Sequence, residues 1–194
     1  MGKIFYIMGK SASGKDTIFK RIRKKEKQLK TITLYTTRPI RENEKQGEEY
    51  FFVTEEKMDQ LCKEGKVIEK RSYNTIHGIW YYFTVNDGQI DLDKNDYIMI
   101  GTLESYEKMK EHFGEDVMVP IYIEVEDGQR LSRALERERL QKEPKYEELC
   151  RRFLADAKDF SEENLKKAGI SDRFFNENIE KCTEEIILCI HEKL

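Results

Sequence analysis

The chain has 194 residues, 38% hydrophobic and 38% charged, with 35 Lys+Arg against 38 Asp+Glu for a formal charge of −3. One domain's worth of chain with 10 Tyr and 10 Phe can build a core, which excludes intrinsic disorder, and the near-neutral balance argues against a dedicated nucleic-acid binder. No apolar run approaches the ~18 residues of a membrane span, and the four cysteines form no C-x-x-C pair, so they read as thiols of a reducing, cytoplasmic compartment.

Ile4 to Met8 is continuously apolar, as in a strand buried on both faces, and turns into Gly9-Lys10-Ser11 too soon for a signal peptide. Helical spacing follows Gly14 through Thr17, Ile18, Phe19 and Ile22. Residues 31–36 read as a second strand, 39–47 as a charged loop and 50–53 as a short strand. Thr54 then caps a helix through Met58, Leu61 and Cys62 that stops at Gly65. A strand starts at 67–69, and the aromatic, β-branched stretch 73–85, Ile76 included, reads as a hairpin in a small mixed sheet. Strands over 97–100 and 117–125 flank a helix over 103–113. A charged helix over 131–140 breaks at Pro144 and resumes through Tyr146, Leu149, Phe153 and Leu154. A short strand over 173–176 and an amphipathic helix over 179–190 close the chain. Alternating strands and helices predict an α/β fold, a three-layer core on a parallel sheet.

Gly9-Lys10-Ser11-Ala12-Ser13-Gly14-Lys15 fits G-x-x-x-x-G-K between a buried strand and a helix, where backbone N–H groups and a helix N-terminus cradle phosphates and Lys15 reaches the outer ones. The Ser or Thr that usually follows is Asp16, with Thr17 next. Asp16 is either a magnesium ligand, direct or through water, or a first-turn acid that faces away and favours the helix dipole. Further on, Arg38 and Arg41 flank Pro39 with Tyr50 downstream, which can fork one phosphate; alone, such an Arg pair equally suits a solvated surface. Arg133 and Arg137 share a helix face at i, i+4, and Arg151-Arg152 follow the Pro144 break.

Thr36-Thr37-Arg38-Pro39-x-Arg41, then Glu44-x-x-Gly47-x-x-Tyr50-x-Phe52-Val53, then Glu69 and Tyr81, resembles the nucleotide-accepting region of the guanylate kinase family. The resemblance runs from Lys3 to the final helix. It implies a P-loop core (1–33, 96–128 and 158–194), a GMP-binding subdomain (34–95) and a lid (129–157). It implies transfer of the γ-phosphoryl of ATP to GMP with Mg²⁺, without a nucleic-acid or membrane partner. By matching position it gives the acceptor phosphate to Arg38, Arg41, Tyr50 and Tyr81, and the base end to Glu69 and Thr102. The carboxylate of Glu69 would accept from guanine N1–H and N2–H₂, which adenine cannot satisfy. On the donor side it points to the loop residues Gly9, Ser11, Ala12, Ser13, Gly14, Lys15, Asp16 and Thr17, the lid arginines Arg133, Arg137 and Arg152, and Asn176 beside adenine. Lys15, Arg38, Arg137 and Arg152 would carry the transferring charge.

The chain departs from the family around the base. Leu34-Tyr35 stands where a small hydroxyl residue usually precedes Thr-Thr-Arg, Tyr82 replaces a glycine and Phe83 a small hydroxyl. Gly101-Thr102-Leu103-Glu104 lacks the acid that usually touches guanine and helps hold the metal, a place Glu104 can fill from one helical turn on. Two alternatives accompany GMP: another phosphomonoester such as a ribose phosphate as acceptor, or a catalytically inactive interaction module of the same fold.

Overall fold

β1 (Ile4–Met8) is buried along its whole length, with Ile4, Tyr6 and Met8 feeding one apolar cluster and Phe5 and Ile7 another. A strand with both faces covered must be apolar throughout, which is why no polar alternation marks it. The computed structural model describes residues 1–42, 44–75 and 78–194. Onward from β1 the chain forms α1 (Lys15–Lys25), β2 (Lys30–Thr31), β3 (Tyr35–Thr36), β4 (Phe51–Phe52), α2 (Glu55–Lys63), β5 (Val67–Thr75) and β6 (Gly78–Val85). Then come β7 (Tyr97–Ile100), α3 (Leu103–Phe113), β8 (Met118–Glu124), α4 (Asp127–Arg139), α5 (Tyr146–Asp159), α6 (Glu162–Lys167), β9 (Arg173–Phe175) and α7 (Ile179–Lys193).

The main sheet has the order β2-β7-β1-β8-β9 with every pairing parallel. Residues of α1 and α7 (Ile18, Ile22, Cys182, Ile186, Ile190) cover one face, and residues of α3 and α6 (Leu103, Tyr106, Met109, Leu165) the other, giving the expected three layers. A second, mixed sheet runs β4-β3-β6-β5, and Met58 and Leu61 of α2 close its own small core against Phe83 and Val85.

Three elements differ from their sequence reading. The strand expected over 31–36 is two short ones in different sheets. Between them the side chain of Gln89 accepts from Thr33 N–H at 2.8 Å and donates to Thr33 C=O at 3.3 Å, standing in for a strand partner as the chain changes sheets. The segments 67–69 and 73–85 are one long hairpin, whose tip, with Ile76, lies outside the described residues. Helix α6 has no periodic signal because only Leu165 of its six residues is buried; its mark is the Ser161 cap ahead of Glu162 and Glu163.

Candidate active site

The phosphate loop joins β1 to α1. Gly14 caps α1 at φ 86°, a conformation that favours glycine, and a Cβ there would run into the side-chain amide of Asn176. That amide donates to Ser13 C=O at 2.8 Å, and Arg133 donates to Asn176 C=O at 3.1 Å. Asn176, 3% exposed, thus buttresses the loop from behind. Ala12 takes φ 63°, rare for a residue with a side chain and typical of a loop held in shape for a ligand. Gly9, Ser11, Lys15 and Asp16 line a cavity of about 1340 Å³. Lys15 lies 3.8 Å from Asp16, which is largely exposed, as is Thr17 beside it.

Two residues without a sequence signal anchor this loop. Arg130 of α4, 1% exposed, donates to Ser11 C=O at 3.1 Å and to Asp127 at 2.9 and 3.1 Å, reaches Asp156 at 3.5 Å, and stacks 4.3 Å over the Phe153 ring. Asp156 of α5 accepts from Ser11 N–H at 2.7 Å, so one of the loop's N–H groups already faces a carboxylate. Arg152 reaches Ser11 Oγ at 3.4 Å and lines the cavity. Arg137 is exposed on α4 and does not line it.

The same cavity extends under the second sheet, where Tyr50, Arg71, Tyr82 and Thr102 line it. Arg38, 3% exposed, makes a fork to Glu44 with two bonds of 2.8 Å, and its guanidinium lies 5.5 and 5.4 Å from the Tyr50 and Phe52 rings. The hydrogen bonds that Arg38 donates to Glu44 raise it above its ordinary pKa although burial pulls it down. Reciprocally, the Arg38 bonds hold the Glu44 carboxyl below the usual carboxylate range, against burial. Arg41 is exposed, does not line the cavity, and gives its backbone N–H to Glu44 at 2.9 Å. Tyr50 and Tyr82 meet edge to face at 5.6 Å, as do Tyr73 and Tyr82 at 5.5 Å. Tyr81 does not join them: strand alternation turns it toward the small core of Met58, Leu61 and Phe83, so Tyr82 is the residue on the cavity side.

At the far end the Glu69 side chain is fully buried. It accepts from Thr84 Oγ1 at 2.8 Å and from Arg71 at 3.1 and 3.4 Å, and Arg71 also donates to Thr102 Oγ1 at 3.2 Å. Thr102 doubles as the N-cap of α3, and Glu104 in its first turn pairs with Lys108 at 2.7 Å. Arg71 carried a legible signal: it is two residues from Glu69, hence on the same face of one strand.

Asp16 and Glu104 both line the cavity, while no group of three or more His, Cys, Asp or Glu side chains suited to a metal occurs among the described residues. One or two carboxylates beside a phosphate loop fit Mg²⁺, which takes its remaining ligands from water and substrate phosphates.

A family model described as guanylate kinase matches residues 1–146. Among curated relatives, a guanylate kinase of Caldanaerobacter subterraneus subsp. tengcongensis is 32% identical over 119 residues, 61% of this chain and 56% of that protein. One of Thermotoga maritima is 29% identical over 123 residues, 63% of this chain and 49% of that protein. One of Tropheryma whipplei is 36% identical over 78 residues, 40% of this chain and 39% of that protein. The chain spans about half the length of the curated relatives it matches. Among solved structures, guanylate kinase from Anaplasma phagocytophilum superposes with a TM-score of 0.68 at 20% identity, covering 99% of this chain and 86% of that one, a likeness of fold.

Proposed function

The chain belongs to the guanylate kinase family, and from that premise we propose that it transfers the γ-phosphoryl of ATP to GMP, giving ADP and GDP. The observation that carries this reading is the single cavity lined by the phosphate loop at one end and by Tyr50 and Tyr82 at the other, with the Arg38 guanidinium 5.5 Å from the Tyr50 ring, which supports two phosphate sites facing one space. Phosphoryl transfer asks for no protein nucleophile, only two phosphates held in line with their charge neutralised. In the roles proposed, the loop from Gly9 to Thr17 binds the ATP phosphates, with Lys15 on the outer ones. Arg133 and Asn176 keep the loop's shape. Arg152, and Arg137 from the exposed face of α4, close over the transferring group when the lid (129–157) moves in. Arg38 and Arg41 with Tyr50 hold the acceptor phosphate, Tyr82 taking the place expected of Tyr81, and Glu69 and Thr102 belong to the base end.

Asp16 and Glu104 would hold Mg²⁺, which when bound neutralises the β- and γ-phosphates. This chain's own residues do the rest: they orient the two substrates, exclude water as the lid closes, and place Lys15 and the arginines against the developing charge. The subdomain boundaries implied by the resemblance and a cytoplasmic location belong to the same proposal; no helix among the described residues is long and apolar enough to cross a membrane.

The test is ADP release with purified protein, ATP, Mg²⁺ and a panel of GMP, AMP, UMP, CMP and ribose phosphates. Turnover with GMP is expected, and Lys15→Ala should lower kcat by about 10²–10³-fold, the usual effect of removing one charge-stabilising donor. Turnover with ribose phosphates and none with GMP would overturn the acceptor assigned here.

A further inference from the structure

The base end of the cavity presents a cation where a guanine-reading carboxylate is expected. Glu69 is fully buried and does not line the cavity; Arg71, with 9% of its side chain exposed, does. Arg71 therefore stands between Glu69 and the space a base would occupy. Its Nε and one terminal nitrogen face Glu69 at 3.1 and 3.4 Å, and the other terminal nitrogen faces Thr102 Oγ1 at 3.2 Å. Glu69 in turn accepts from Thr84 at 2.8 Å. A carboxylate has about four acceptor positions, and three of these are taken within the protein. The guanidinium has five N–H donors, and its end-on pair lies away from the Glu69 side. Tyr82, the cross-strand partner of Arg71, and Tyr73 beside it give the base flat apolar walls.

We propose that Arg71 is the specificity-determining residue of the acceptor site, reading the O6 and N7 acceptors of a 6-oxopurine, with Glu69 and Thr102 as its positioning residues. This rests on the acceptor site proposed above. A guanidinium fork matches the O6/N7 edge of guanine, and meets in adenine an amino group that opposes its own donors. The 2-amino group is then unread, so hypoxanthine serves as well as guanine. The acceptor class becomes 6-oxopurine nucleoside 5′-monophosphates, with IMP taken nearly as readily as GMP and AMP refused. A carboxylate reading N1–H and N2–H₂ makes the opposite prediction, since IMP lacks the second donor.

The chain has a single tryptophan, Trp80, which lines the cavity and reports binding without turnover. Quenching of its fluorescence should give GMP and IMP dissociation constants that agree within about threefold and an AMP constant at least tenfold weaker, the lower end of the discrimination of one bidentate pair. Arg71→Lys keeps the charge opposite Glu69 but loses the fork; GMP and IMP should both weaken by about tenfold or more, and the preference over AMP should collapse. Glu69→Gln leaves Arg71 an acceptor to lean on. It should weaken GMP and IMP equally, whereas direct reading by Glu69 would change their ratio. GMP bound with IMP refused, or a GMP to IMP ratio altered by Glu69→Gln, would overturn the inference and leave the acceptor site standing. Binding of no purine monophosphate would overturn the acceptor site, and the inference with it.

Discussion

The fork between Arg38 and Glu44 already engages the guanidinium that the proposed acceptor site would turn to a phosphate. Arg38 is nearly inaccessible yet keeps its charge because a carboxylate and two aromatic rings surround it. A buried cation that loses its partner is more costly than one never paired. Glu44→Gln, which can still accept one bond, should lower stability by about 1–3 kcal/mol, the penalty of an unsatisfied charged donor, measurable as a reduced urea midpoint. The pH dependence has a definite sign. Hydrogen bonds from Arg38 hold Glu44 below its ordinary value of about 4.3. The unfolded chain therefore binds that proton at higher pH than the folded one. This contribution is fully present above the unfolded value and is lost as pH falls through the folded one. Urea melts at pH 7, 5 and 3 should show that acid-induced loss in the native chain and a smaller loss in Glu44→Gln.

At the scale of elements the hairpin of β5 and β6 does most to build the proposed acceptor side, and its alternation separates neighbours in sequence. Tyr82→Ala should weaken GMP binding and leave the melting temperature little changed. Tyr81→Ala should do the reverse, because that ring packs on the small core. Titration and thermal melts of the two variants check both halves, and a GMP defect in Tyr81→Ala would refute the assignment of faces. The same alternation marks how far the site is legible from residues alone. The buried strand at Ile4–Met8, the loop through Lys15 and the stretch from Thr36 to Arg41 are local patterns, each read within a few positions. Arg71 is local too, but reading 67–69 and 73–85 as separate elements hides its place beside Glu69. Arg130 and Asp156 had no such signal: they meet Ser11 across 119 and 145 residues, and charged residues on charged helices look alike until packing selects one for burial. Likewise α6 shows only a cap, since one buried leucine makes no period.

Across the whole molecule, Arg130 ties three parts together: the loop after β1, the helix it sits on, and α5 through Asp156 and Phe153. Arg130→Met fills the same space but strands two carboxylates. Because Asp127 is half exposed and Asp156 keeps the bond from Ser11 N–H, it should destabilise by about 1–3 kcal/mol, visible in chemical denaturation. The bond from Ser11 N–H to Asp156 has a different consequence. The loop holds a carboxylate contributed by the arm that also bears Arg152. A donor phosphate at the proposed site would exchange one anion for another, and the carboxylate it displaced is one that ties α5 to the loop. On the donor site proposed above, a phosphate that takes this N–H would loosen one tie between α5 and the loop and leave the Arg130 tie in place, so occupancy of the loop would bear directly on the position of that arm.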